Sequence, residues 1–299
     1  MVCAVAAQNR PAVFRIQPVR PVAELRVEAL AAKPPAELGS FRKSDLVDLA
    51  ALAPRIKLDI RYATPDNFLS TPVYSSARAF LQRPAAEALL RAHRELTKQG
   101  YGLLIFDAYR PWYVTKMFWD ATPPDKHEFV ANPAEGSRHN RGCAVDLSLY
   151  DLKTGREVEM TGVYDEMSER SYPDYAGGTA VERSHRQLLR RAMEKQGFTV
   201  FPSEWWHFDY QDWKQYAIQN VPFEQIATSN AVFDNAIEWR SDRRGVGVRT
   251  QTRHSRCQVT HSGRRLHCSS GLLRSVKDGC HWKSLPSARR WFARLGSQP

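Results

Sequence analysis

The sequence predicts an α+β fold, with helices and strands mixed in an order that shows no regular βαβ alternation. Three observations carry this. Apolar residues recur at strand period in some stretches and at helix period in others. Gly and Pro punctuate the boundaries between them. The chain, 299 residues and 42% hydrophobic, can bury a sizeable core in one large domain or two small ones.

In chain order, residues 1–43 are rich in Ala, Pro and Val with little periodicity, and Lys33-Pro34-Pro35 reads as the end of a linker. A loosely ordered segment is expected there. A compact domain is expected over 44–239, beginning at Ser44-Asp45-Leu46-Val47-Asp48-Leu49. Ile56 to Ile60 alternates like a half-buried strand. Pro84 to Gly100 reads as an amphipathic helix, with Pro84 in its first turn, Leu89, Leu90 and Leu96 on one side, and Gly100 as the stop. Tyr101 to Phe106 follows as a strand, and Val114 to Trp119 as another helix. The stretch from Ala121 to Arg141, with its Pro, Asn, Gly and Ser, is a long loop. Cys143 to Leu149 alternates again. His185 to Gly197 is a basic helix, and Phe198 to Phe201 and Glu204 to Tyr210 are two further strands.

Past residue 240 the character changes to Ser, Arg, Gly and Cys without apolar period, so 240–299 is expected to be a low-order basic tail outside the domain. The charge distribution agrees. The chain is +11 at pH 7 as a whole, but its last sixty residues hold 12 Arg and 2 Lys against only Asp242 and Asp278. The rest carries 29 basic and 30 acidic side chains. A nucleic-acid-binding function would rest on the tail alone, and the neutral body argues against specific nucleic-acid recognition.

Five cysteines without regular spacing make no disulfide framework. Cys143 reads as a small buried apolar residue. Cys257, Cys268 and Cys280 with their neighbouring histidines lack the paired spacing of a zinc finger. His127 is not needed as a ligand, and His93 and His185 are expected on helix surfaces. No apolar run approaches the roughly 18 residues of a membrane helix. The start, MVCAVAAQNR, has no basic n-region, so the cytoplasm is the default expectation, with the periplasm open. Nothing addresses the oligomeric state.

Three strings carry chemistry. In Ser137-Arg138-His139-Asn140-Arg141-Gly142-Cys143-Ala144-Val145-Asp146, His139 closes a polar loop and Asp146 lies in a strand, a donor pair that suits zinc. Gly142 would let the backbone turn between them. Alone this is a weak signal, because a loop hydrogen bond and a surface carboxylate leave the same letters. In Glu204-Trp205-Trp206-His207, residues three apart on a strand face opposite ways unless the chain bends. A bend at Glu204 would bring both side chains to one centre. Catalytic zinc takes three protein ligands and leaves a position for water, whose proton a nearby carboxylate can remove. Two histidines, one Asp and one unligated Glu complete that scheme. Of Trp205 and Trp206, at least one is expected to be plain core. Phe106-Asp107-Ala108-Tyr109-Arg110-Pro111 sets an arginine just after a strand, where it could stabilise an oxyanion or simply pair with Asp107.

Together, SxHxxGxAxD, ExxWH and a strand ending in YRP resemble the zinc metallopeptidases that include the D-alanyl-D-alanine dipeptidases. Leu58 to Phe68 and Asp165 to Ser171 resemble that branch as well, and the similarity runs from about residue 44 to about 225. The resemblance implies a central, mostly antiparallel sheet with flanking helices, the fold shared by D-alanyl-D-alanine carboxypeptidases and the Hedgehog signalling domain. It implies one zinc ion per chain on His139, Asp146 and His207, with Glu204 as general base and Arg110 as transition-state stabiliser. Tyr62, Ser137 and Asp165 match positions that line a dipeptide pocket, Asp165 facing the substrate's ammonium. An N-cap or solvent role for Asp165 and simple packing for Tyr62 remain the plainer alternatives. The activity implied is hydrolysis of D-Ala-D-Ala in cell-wall precursor metabolism. A D,D-carboxypeptidase on the same fold and a non-catalytic zinc-stabilised binding domain are the rivals, and only the latter has no use for Glu204.

Overall fold

The computed structural model describes residues 13–53 and 55–226, and the first element in them is a helix where a loose segment was expected. Helix α1 (Val22–Ala31) buries Leu25 and Ala29 completely, four residues apart on one face, and packs on helix α4 (Trp112–Ala121). Val27 and Leu30 stay exposed. With so narrow a buried stripe and apolar residues on both sides, no clean 3.6 period shows in the sequence, which is why the helix was not legible. The basic tail lies outside the described residues, as do Cys257, Cys268 and Cys280.

Strand β1 (Leu46–Asp48) runs directly into the one-turn helix α2 (Leu49–Leu52), whose N-terminus Asp48 caps by accepting from the Ala50 amide at 3.0 Å. β1 pairs antiparallel with β3 (Phe80–Gln82) in a small separate sheet. Three-residue strands are too short to alternate visibly. Helix α3 (Arg83–Thr97) follows, with Ala85, Leu89, Ala92 and Leu96 fully buried. His93 is on its inner side, 6% exposed rather than on the surface, and its Nδ1 accepts from the Leu103 amide. Gly100 takes φ +89° to turn the chain into β4 (Tyr101–Asp107).

The main sheet has five strands in the order β2-β4-β5-β7-β6, where β2 is Lys57–Leu58, β5 Ala144–Asp151, β6 Phe198–Phe201 and β7 Glu204–Tyr210. Only β2 and β4 run parallel; every other pairing is antiparallel. This is the α+β, mostly antiparallel architecture expected. The middle strands β4 and β5 are buried on both faces: β4 reads as a near-continuous apolar run, whereas β5 alternates because Asp146 and Ser148 are buried polar residues. Helix α5 (Ala180–Glu194) starts five residues before the apolar pattern does. Thr179 and Glu182 form a reciprocal capping box at its N-terminus, a T-x-x-E signature present in the sequence. Buried Arg186 on α5 donates to Thr161 Oγ1 at 3.0 Å and to the Tyr175 carbonyl at 2.8 Å, which ties down the connection that precedes the helix. No helix among the described residues is long and apolar enough to cross a membrane.

Candidate active site

His139 opens a 3-10 turn (His139–Arg141) that Gly142 closes at φ +69°. A side chain at Gly142 would also meet Leu46, whose Cδ2 lies 2.5 Å from an ideal Cβ position. Asp146 on β5 and His207 on β7 are direct cross-strand partners. The turn and the strand pair bring three donor atoms together: His139 Nε2 is 3.2 Å from Asp146 Oδ1, His207 Nδ1 is 3.1 Å from the same oxygen, and the two nitrogens are 3.1 Å apart. All three residues are buried. A tetrahedral ion with bonds of ~2.0–2.1 Å separates its ligands by roughly 3.3 Å, so the triangle fits a metal ion.

The groups behind the triangle support that fit. His139 Nδ1 donates to the Ala108 carbonyl at 2.6 Å, and His207 Nε2 donates to Asp209 Oδ1 at 2.9 Å. In the neutral imidazole each contact turns the lone pair of the inward nitrogen toward the centre, as metal-ligating histidines require. Tyr164 donates its hydroxyl to Asp146 Oδ2 at 3.0 Å, while Oδ1 is buried with no hydrogen bond among the described residues. Burial would raise Asp146, yet the two imidazoles hold it below the ordinary carboxylate range.

Glu204 reaches the same centre because β7 does not alternate regularly there. Val200 faces Phe208 across the β6–β7 pair, but the next residue, Phe201, faces Glu204. Residues 205–207 therefore have no β6 partner, and the strand bends enough to put Glu204 and His207 on one side. Glu204 Oε2 lies 3.6 Å from His207 Nδ1 and stands outside the three-donor cluster. Burial pushes its carboxyl up to about 7, against the lowering influence of His207. Trp205 and Trp206 are both buried, and Trp206 borders the cavity.

Arg110 follows β4, and the ion pair with Asp107 is present. It pairs with Asp107, Nε donating to Oδ2 at 2.9 Å, and its Nη2 also lies 3.7 Å from Asp146 Oδ2 at the cavity wall. Burial opposes its charge, but the Asp107 carboxylate beside it holds the guanidinium firmly protonated. Tyr74 in turn donates to Asp107 Oδ1 at 2.7 Å. Arg110→Ala should lower kcat on the order of 100-fold or more with a smaller change in KM, the signature of charge met only in the transition state. Steady-state kinetics with thermal melts would check it. An unchanged kcat in a destabilised protein would leave Arg110 with the ion pair alone.

Tyr62, Ser137 and Asp165 all border one cavity of about 170 Å³ with Glu204, Arg110 and the donor triangle. That is below the roughly 300–1,000 Å³ of sites for drug-sized ligands. Tyr62 donates to Asp165 Oδ1 at 2.9 Å, and Asp165 Oδ2 is buried with no hydrogen bond among the described residues. Asp165 takes φ +62°, a conformation that costs a non-glycine residue free energy. It is thus neither an N-cap nor a solvent-facing acid. Ser137 Oγ accepts from the His139 amide at 3.2 Å. His127 stacks on Trp119 away from the cluster, and Cys143 is a buried free thiol. The sequence reasoning missed Asp209 and Tyr164. Asp209 could have been found, since a residue two after a strand ligand shares its face; nothing local marks Tyr164.

A family model described as D-ala-D-ala dipeptidase, peptidase M15, matches residues 42–226. The D-alanyl-D-alanine dipeptidase of Escherichia coli K12 is 36% identical over 166 residues, which cover 56% of this chain and 84% of that protein. The enzyme of that name from Enterococcus faecium is 38% identical over 175 residues, covering 52% of this chain and 87% of its own. One from Streptomyces coelicolor is 33% identical over 186 residues, with 56% and 92% covered. Since the match spans well over half of the chain and takes in every candidate site residue from Tyr62 to His207, the chain belongs to the D-Ala-D-Ala dipeptidase family of M15 peptidases.

Proposed function

We propose that the chain is a zinc dipeptidase that hydrolyses D-alanyl-D-alanine to two D-alanines, in cell-wall precursor metabolism. The observation that carries this is Glu204, a buried carboxylate 3.6 Å from His207 Nδ1 yet outside the donor triangle. A zinc ion on His139, Asp146 and His207, one per chain, would supply Lewis-acid polarisation of the scissile carbonyl and of water. The side chains do the rest. Glu204 Oε2 accepts the proton of the attacking water and passes it to the leaving amine, a role that suits a carboxyl tuned near neutrality. Arg110, fixed by Asp107, faces the negative charge that grows on the carbonyl oxygen. Asp165, aligned by Tyr62, receives the ammonium. Ser137 holds the turn that presents His139.

The small cavity, and an Asp165 oxygen without a hydrogen bond among the described residues, favour a short substrate with a free ammonium. The test is D-alanine release by zinc-loaded protein from D-Ala-D-Ala and from a pentapeptide stem. Turnover of the stem alone would make it a carboxypeptidase; turnover of neither, with zinc bound, would support a binding domain.

Asp165 offers a second check. Burial raises its pKa well above the ordinary carboxylate value, which favours the protonated form when no cation is beside it. An ammonium favours the ionised form, so dipeptide binding to the zinc-loaded Glu204→Ala variant should release a proton. Calorimetry in buffers of different ionisation enthalpy measures this. Release that persists unchanged in an Asp165→Asn protein would place its source elsewhere.

A further inference from the structure

The cavity is lined by six acidic side chains, those of Glu128, Glu135, Asp146, Asp165, Glu166 and Glu204, and among the described residues by two arginines, Arg110 and Arg138. A zwitterionic dipeptide must seat its own carboxylate in these surroundings, which without a cation would be strongly unfavourable. Arg110 is not free for it. Its guanidinium is buried, bonded to Asp107 at 2.9 Å and 2.8 Å, and lies against Asp146.

Arg138 is placed differently. Its side chain is 37% exposed at the cavity rim, and its guanidinium carbon lies 4.8 Å from the Trp213 ring centroid and 5.7 Å from that of Phe201. Such stacking fixes the plane of the group while leaving its edge open to a ligand. Its carboxylate contact among the described residues is Asp209, 3.5 Å from Nε, and Nε is buried without a hydrogen-bond acceptor there. Asp209 is itself already accepting from His207. Arg138 thus retains donor capacity directly beside His139, and the fork of a guanidinium matches a carboxylate in two parallel hydrogen bonds.

We infer that Arg138 is the specificity residue that binds the free C-terminal carboxylate of the substrate, while Asp165 holds its ammonium. The inference rests on the dipeptidase reading. Recognition of both charged ends of a two-residue peptide would set the length that the enzyme accepts, and blocking the carboxylate would remove half of it.

The test compares D-Ala-D-Ala with D-alanyl-D-alaninamide, in which the same scissile bond carries no terminal charge. Wild type, Arg138→Met and Arg138→Lys are used as full-length, zinc-loaded proteins, with zinc content and melting temperature measured on each. Met preserves apolar contact with Trp213 and Phe201. Wild type should prefer the acid, and Arg138→Met should lose roughly 10- to 100-fold in kcat/KM on it, mainly through KM, as for one charge-assisted pair. On the amide the same variant should stay within about threefold. Lys, a point charge, should restore part of the preference. Equal loss on both substrates, or loss of zinc from Arg138→Met, would instead mean that Arg138 acts through Asp209 on His207, and the inference would fall. If zinc-loaded wild type cleaved neither compound, the dipeptidase reading itself would fall first.

Discussion

Glu204→Ala is expected to keep its zinc and its fold while losing turnover of D-Ala-D-Ala by on the order of 1,000-fold or more. General acid–base catalysis contributes ~10²–10⁴-fold, and here one carboxylate serves as acceptor and then donor. The structure separates the two roles that a carboxylate beside a metal can take. The donors His139 Nε2, Asp146 Oδ1 and His207 Nδ1 form a closed triangle, and Glu204 Oε2 stands 3.6 Å from one corner. Removing it leaves all three corners and their supporting hydrogen bonds intact. Because Glu204 must be ionised to accept a proton, activity should fall as the pH drops through its pKa. Burial raises that pKa from the usual value to about 7, and a bound cation, favouring the ionised form, would move the limb lower. The checks are metal analysis, a pH–rate profile and the Glu204→Gln variant, which keeps the shape without the base. A variant that lost zinc and regained activity when zinc was restored would show Glu204 to be a ligand.

The site was legible to the extent that its residues lie on regular elements or in short strings. His139 and Asp146 lie within one loop-to-strand string. His207 was found because β7 is long enough to read as a strand. Glu204 required a bend that alternation forbids, and the bend could be expected only in general terms: its physical form, three residues of β7 without partners on β6, depends on pairing between strands. Arg110 was left between ion pair and catalysis because the two appear as alternatives in one dimension. In space Asp107 sits behind the guanidinium and the cavity in front, so the pair is what aims it. The elements that escaped, α1 and the β1–β3 pair, are those in which two or three buried residues suffice and no period develops. His93 escaped for a related reason, since an imidazole on the inner face of a helix looks from sequence like one on the outer.

His139→Ala and His207→Ala should each lose metal and activity together, and the loss of affinity should exceed that from changing the groups behind them. Deleting an outer partner of a ligand typically costs ~10–100-fold in metal affinity, so Asp209→Asn, which weakens the contact at His207 Nε2, provides the internal standard. Removing a ligand itself leaves two donors where catalytic zinc takes three, and the deficit should be larger than that standard in both variants. The two histidines differ in what else they support. His139 is 1% exposed and its Nδ1 satisfies the Ala108 carbonyl at 2.6 Å, so its removal orphans a buried acceptor and should also lower the melting temperature of the metal-free protein. His207 bonds outward to Asp209, which keeps its ion pair with Arg138 at 3.5 Å, so the metal-free His207→Ala protein should melt closer to wild type. Zinc titration against a competing chelator, together with melts of apo and zinc-loaded protein, separates the effects, because ligand binding adds stability that depends on metal concentration. A histidine variant that bound zinc as tightly as Asp209→Asn would have to be removed from the ligand set, and the triangle would then need a different third corner.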